Sequence, residues 1–233
     1  MLSFCAVAPL GDAVVKLLGA TIDLGQLLIV RFGLQAAILI PLIFLTGRKW
    51  QMRGQVVWLT LLRTCLHILG IGMMFKALQY LPLADAVAIA FVMPFIMLLL
   101  GHYVLKEEVG QRRLVACTAG FIGTLLVIKP SFAAVGWPAL LPLGVAFNVS
   151  LFMWVTRKIA KQTDPIGLQA VSGGMAVLLL APFVMGSGTL GLQTMVWIAP
   201  DGYETLLLLS AGVLGTLAHL LMTWSLRYAP SAT

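Results

Sequence analysis

Charge is what this sequence has least of. Only 10% of its 233 residues are charged, while 61% are hydrophobic, against roughly 25% charged in an average soluble protein. A soluble fold has no interior large enough to hide that much apolar surface. The chain also lacks the segments of about 10 residues, alternately apolar and polar, that a transmembrane β-barrel needs. Its three cysteines, Cys5, Cys65 and Cys117, all fall in apolar stretches; an odd number so placed argues against a disulfide framework and for buried thiols. No phosphate-binding G-x-x-x-x-G-K-[ST] loop is present, so nothing in the sequence couples it to nucleotide hydrolysis. Its three histidines form no cluster with metal-ligand spacing, and neither a metal nor another cofactor is expected. The first apolar run has no basic leader and carries Asp12 and Lys16, so it reads as a membrane span rather than a signal peptide.

What is present is a succession of apolar stretches, each close to the roughly 20 residues that cross a bilayer as a helix. The expected fold is an all-α, polytopic membrane protein. Eight spans can be laid out, at about Leu2–Leu18, Leu24–Leu45, Val56–Leu81, Ala84–Leu105, Leu114–Ile128, Pro138–Thr156, Ile166–Met185 and Tyr203–Tyr228. Pro94, near the middle of the fourth, removes a backbone hydrogen bond and is expected to bend that helix. The net charge of +7 would suit nucleic acid, but the basic residues sit in short clusters between spans, where membrane topology puts them. No nucleic-acid partner is expected. The loops after spans two, four and six hold three basic residues each. Cytoplasmic loops retain Lys and Arg, so the amino terminus is expected inside, in a multi-pass protein of the cell membrane, the inner membrane if the source is Gram-negative.

One pattern occurs twice. Around the turn after span three the chain reads ALQYLPLA, and the last span ends SLRYAPSA, so that Leu78, Tyr80, Pro82 and Ala84 fall on Leu226, Tyr228, Pro230 and Ala232, 148 residues later. Gly25, opening span two, falls near Gly167, opening span seven. Spans three and eight cross in opposite directions under the charge rule, which is the behaviour of an inverted repeat whose unit has an odd number of spans. The expected unit is five spans, giving repeats at 1–130 and 131–233. Two further spans are then expected beyond Thr233 to complete the second.

The five-span unit, the Pro-containing turn, PLADAVAIAFVMPF, the charged KEEVG loop, LLVIKP, LGDAVVKLLG and RFGLQAAIL together resemble the EamA repeat of the drug/metabolite transporter superfamily. The resemblance implies ten helices in two inverted five-helix repeats and a secondary transporter of small metabolites, amino acids among them, often an exporter.

Ionisable side chains within a span are expensive and are candidate functional groups. Arg31 costs roughly 3 kcal/mol, while the apolar residues of its span contribute about 4 to 8 kcal/mol in the opposite sense. Asp12 and Arg31 come out at similar depth on spans one and two and could pair, either as a substrate or proton site or as a structural ion pair. Lys16, four residues from Asp12, reads as a snorkelling group. Arg63, His67, Gly70 and Met74 share one helical face. His67, near mid-span, is either a proton-coupling group or an interhelical hydrogen-bonding residue. Lys76 and Asp85 flank the Pro82 turn, where a local salt bridge is expected. Asn148 lies mid-span in the sixth, with Ser150 and Trp154 on a neighbouring face. Small-residue stripes at Ala211, Gly215 and His219, and at Ala116, Gly120 and Thr124, are expected to pack against helices.

The sequence therefore points to a secondary transporter, not an enzyme, working as an exporter or exchanger by alternating access. Candidate substrate-binding residues are Asp12, Arg31, Arg63, His67, Asn148, Trp154 and His219. The expected partners are a small organic metabolite and the lipid bilayer; proton or ion coupling and a homodimer stay open. The rival reading is an intramembrane enzyme on lipid or isoprenoid substrates, which would cluster Asp, His or Ser at the cytoplasmic interface, where this chain has mostly Lys and Arg. A third, a receptor or assembly subunit, does not account for the repeat.

Overall fold

The structure, a computed structural model, describes residues 2–105, 111–186 and 197–228. Among these, helices and their connections account for the whole chain, with no strand. In order they are α1 (Leu2–Leu18), α2 (Leu24–Thr46), α3 (Gln55–Tyr80), α4 (Leu83–Ala90), α5 (Met93–Leu105), α6 (Gln111–Val135), a 3₁₀ turn (Trp137–Leu140), α7 (Leu141–Ala160), α8 (Pro165–Met185) and α9 (Gly202–Tyr228). Among the described residues, five stretches are long and apolar enough to cross a membrane: α2, α3, the 3₁₀ turn with α7, α8 and α9. Large apolar side chains point away from the protein, among them Trp58, Leu178 and Met185, the last 87% exposed. In a soluble protein such surfaces mark association sites; on a polytopic membrane protein they face lipid. The charged loop at 106–110, part of the loop before α9, and Pro230 and Ala232 of the repeated pattern lie outside the described residues.

Helix boundaries follow local chemistry. Asp164 caps α8, its Oδ1 accepting from the amides of Ile166 (3.0 Å) and Gly167 (3.2 Å), and Pro165 occupies the first turn, where a missing N–H is harmless. At the end of α2, Gly47 adopts φ 61° and closes the helix, a left-handed conformation glycine takes at no steric cost. The fourth span is not one helix. Pro94 has no N–H to give the carbonyl of Ala90, and α4 ends at Ala90 while α5 begins at Met93. The fifth span is longer than the apolar run suggests, since α6 continues through Pro130 to Val135.

The chain divides into two compact units, residues Met1–Ile68 with Val155–Ala229, and Leu69–Trp154. In the first, α2 packs along α8, and α9 packs on α1 and α2. Contact along α8 is close because Gly173 leaves only 3.2 Å between a would-be Cβ and the backbone of Phe32 and Ala36. An apolar cluster of Leu39, Ile43, Ile166 and Ala170 fills the seam. In the second unit α6 packs on α4, α5 and the 3₁₀ turn, with Phe95 stacked on Phe121 at 5.0 Å.

Three expectations are corrected. Cys5 and Cys65 are exposed on their helices; in a bilayer an outward thiol is still in an apolar medium, so composition could not place it inside the protein. Lys76 donates to Gln79 Oε1 (3.0 Å) and lies over the Tyr80 ring rather than bridging to Asp85, because one helical turn brings Gln79 and Tyr80 closer than residues beyond the proline turn. Of the two small-residue stripes, that on α9 packs along its length, whereas on α6 only Thr124 is buried: Gly120 has open space around it and Ala116 is exposed. Small residues permit a close approach without requiring one.

Candidate functional site

The first unit holds a buried polar centre in an otherwise apolar helix assembly. Arg63 of α3 is fully buried and donates through Nε to Thr156 Oγ1 (2.9 Å) and through Nη1 to Ser172 Oγ (2.8 Å). One helical turn on, His67 meets His219 of α9, Nε2 to Nε2 at 2.5 Å, with the rings nearly perpendicular. One nitrogen must donate and the other accept, so the contact holds a single proton. Phe32 packs edge-on against His67 at 5.0 Å.

Two buried amides extend this centre. Gln35 of α2 donates to the Gln169 carbonyl (2.6 Å) and side-chain oxygen (3.2 Å). Gln169 of α8 donates to Thr223 Oγ1 (2.9 Å) and to the carbonyl of His219 (3.0 Å). The Thr223 hydroxyl also donates to that carbonyl, at 2.7 Å. Five helices, α2, α3, α7, α8 and α9, are thus joined by hydrogen bonds inside an apolar setting, where an unmade bond is costly. A third amide, Gln26, is fully buried and bonds both ways with the backbone of Ile198, at 2.7 and 3.0 Å. It fixes the chain entering α9 onto the start of α2.

Arg31 and Asp12 sit beside this centre. They are near enough to attract each other, yet they are not among the ion pairs, within 4 Å, of the described residues. Arg31 is half-buried and lies against Gly215 of α9, where a Cβ would be 2.6 Å from its Nε. The pairing expected for these two residues is therefore electrostatic proximity rather than a bonded bridge. Asn148 and Trp154 belong to the second unit. There Asn148 is buried, its Nδ2 2.6 Å from where a Cβ on Gly70 would be, and Trp154 is half-buried. Ser150, on α7, donates to the carbonyl of Ala146 (2.7 Å) and more weakly to that of Met93 (3.4 Å) at the α4–α5 break.

At the helix ends of the first unit a different cluster forms. Asp164 Oδ2 accepts from Arg48 Nη1 at 3.0 Å and lies 3.8 Å from Arg227 Nη1. Beside it a Cβ on Gly167 would stand 2.6 Å from the carbonyl of Lys49, so the chain after α2 is laid directly on α8.

Helix-only architecture and a polar centre in an apolar bundle suit many membrane proteins, and the comparison with known families decides among them. Residues 2–129 match the EamA-like transporter family. The chain belongs to that family. Relatives of this EamA protein include a riboflavin transporter of Vibrio cholerae, 28% identical over 193 residues, covering 82% of this chain and 62% of the relative. A riboflavin transporter of Rhizobium johnstonii is 30% identical over 78% of this chain and 57% of its own length. An S-adenosylmethionine uptake transporter of Rickettsia felis is 23% identical over 88% and 67%. The EamA chain thus spans about three-fifths of the riboflavin transporters it matches.

Of the residues singled out in the sequence, Arg63, His67 and His219 meet in the polar centre, with Asp12 and Arg31 beside it. The sequence reading missed Gln26, Gln35, Gln169, Thr156, Ser172 and Thr223. The three glutamines had a signal of their own, since an amide in an apolar helix seeks a partner on another helix. The hydroxyls had none, because Ser and Thr can bond back to their own helix.

Proposed function

We propose that this protein is a secondary transporter of a small organic metabolite, working by alternating access between two inverted repeats, 1–130 and 131–233. The carrying observation is the buried polar centre of Arg63, His67, His219, Gln35 and Gln169 in a chain of the EamA-like transporter family. Intramembrane polar groups at a repeat interface are where such transporters hold their cargo.

The repeat reading is supported by α2 and α8. Each begins after an aspartate in extended conformation, Asp23 and Asp164, and each carries a proline near its end, Pro41 and Pro182. Both pairs, and Gly33 with Gly174, are 141 residues apart. On this reading α2 with α8, and α3 with α9, are equivalent helices of the two repeats, and each couple is joined by a like pair, Gln35–Gln169 and His67–His219. The histidine pair supports proton coupling, since it can exchange its single proton as helices move. The expected setting is the cell membrane with the amino terminus cytoplasmic, and the protein is read as non-enzymatic.

Direction has two readings. Export or exchange follows from the family resemblance, whereas the relatives named as S-adenosylmethionine uptake transporters favour import. S-adenosylmethionine-like molecules, which carry a carboxylate, are the first cargo to try, with riboflavin, which has no anionic group, tested beside them. Proteoliposomes containing the protein should accumulate or release a labelled metabolite, and a pH gradient should drive that flux. Flux equal to that of empty liposomes for every compound in a broad metabolite panel would sink the proposal.

A further inference from the structure

We infer that Arg31 anchors an anionic group, a carboxylate or phosphate, of the molecule this protein moves, an inference that rests on the transporter reading above. Arg31 lies within the apolar sequence of α2, where an arginine is costly to insert. Such a cation needs acceptors. Arg63 has two hydroxyl acceptors at 2.9 and 2.8 Å, whereas among the described residues Arg31 makes no hydrogen bond and no ion pair. It is only half-buried, so its donors stay reachable.

Its seat is shaped for it. Gly215 leaves the wall of α9 bare, and a Cβ there would stand 2.6 Å from Nε and 2.7 Å from Cζ and Nη2. Asp12 attracts the guanidinium without bonding it, which offsets part of its charge and leaves the N–H fork open. Within the helix interiors of this unit the one described carboxylate is that of Asp12, beside Arg31. The other described acids of the unit, Asp23, Asp164, Asp201 and Glu204, lie at or near helix starts. A carboxylate or phosphate matches the planar fork in two parallel charge-assisted hydrogen bonds, which a carboxamide or an amidinium cannot supply.

The test uses three molecules of one shape and different charge: benzoate, benzamide and benzamidine. Purified protein in neutral detergent should gain thermal stability with benzoate but not with the other two. Arg31→Gln should abolish that gain, and Gly215→Ala, which displaces the guanidinium, should weaken it. Arg31→Lys keeps the charge without the fork and should keep a partial response, so the test still reads out if Arg31→Gln does not fold. A flat benzoate response in the unmodified protein overturns the inference. So does stabilisation by phosphatidylglycerol without benzoate, which would assign the guanidinium to a lipid headgroup. In a second arm, proteoliposomes are given a cell metabolite extract and their contents read by mass spectrometry. The accumulated compounds should carry a carboxylate or phosphate, and Arg31→Gln should cut their accumulation by at least about tenfold. Accumulation of compounds without an anionic group, unchanged in Arg31→Gln, overturns the anion assignment and leaves the transporter reading standing. No accumulation at all, with benzoate still protecting, removes the transporter reading and leaves the anion site.

Discussion

Just beyond α2 and at the end of α9, Arg48 and Arg227 converge on the carboxylate of Asp164, whereas inside the same unit Arg63 is held by two hydroxyls and Arg31 by no bonded partner among the described residues. The outer cluster neutralises charge where water and salt already weaken it. Its ion pairs contribute little, roughly 0–1 kcal/mol each. The inner centre keeps positive charge where charge is expensive and, Asp12 apart, sets it among neutral donors and acceptors. On the reading proposed above, the outer cluster holds helix ends together and the inner one serves a ligand.

The comparison can be broken from either side. Gln169→Leu should have the largest effect, a loss of about 3 kcal/mol in unfolding free energy, because it removes the bonds from the Gln169 amide to Thr223 and to the His219 carbonyl and the side-chain acceptor of Gln35, at roughly 1 kcal/mol each, while Gln35 keeps the Gln169 backbone carbonyl. Chemical unfolding in detergent measures it, and a change below about 0.5 kcal/mol would show that the inner network is not what joins these helices. Gly167→Ala should cost about 2 kcal/mol, since the new Cβ meets the Lys49 carbonyl at 2.6 Å and backbone must shift. Asp164→Ala should cost about 1 kcal/mol, chiefly through the lost cap of α8 rather than the ion pairs. Arg48→Gln should be smallest, under about 1 kcal/mol, and its difference from the unmodified protein should vanish in 1 M salt, where the screening length is roughly 3 Å. A salt-independent loss would mean that the outer cluster is more than a surface contact.

A further prediction sharpens the inner side. The His67–His219 contact needs one unprotonated Nε2, so acid that protonates both must separate the rings. Arg31 and Arg63 are the cations that act on both rings, with Asp12 beside Arg31. Transport should therefore fall on acidification in the unmodified protein, and His67→Gln should flatten that dependence. An unchanged pH profile in His67→Gln would leave the pair a purely structural hydrogen bond.

Much of the fold was legible because a bilayer imposes length and apolarity on each span. The reading of Leu2–Leu18 coincides with α1, and those of the second, third, seventh and eighth spans agree with their helices to within about a residue at each end. The break between α4 and α5 was legible in Pro94, which removes a hydrogen bond wherever it sits. Less of the candidate site was readable. Arg63, His67 and His219 announced themselves as costly groups in apolar helices, but Gln35 and Gln169 acquire meaning only as partners of each other. Nor could the stripe at Gly120 be told from that at Gly215 by composition, since each merely allows a neighbour to come close.

The sequence by itself determined that this chain crosses a membrane as helices, where most of those helices begin and end, and which ionisable groups would be hard to leave unexplained. Transfer of side chains into an apolar medium and proline's missing donor are local properties, and they act before any helix has met another. Only the tertiary structure decided that His67 meets His219, that Gln35 meets Gln169 and that Arg31 lies against the bare backbone of Gly215. Those meetings depend on how each helix is rotated and shifted against its neighbours. Apolar pattern leaves that rotation open, because lipid and protein interior are alike to a leucine; close packing at glycine and the need to satisfy buried polar groups select it.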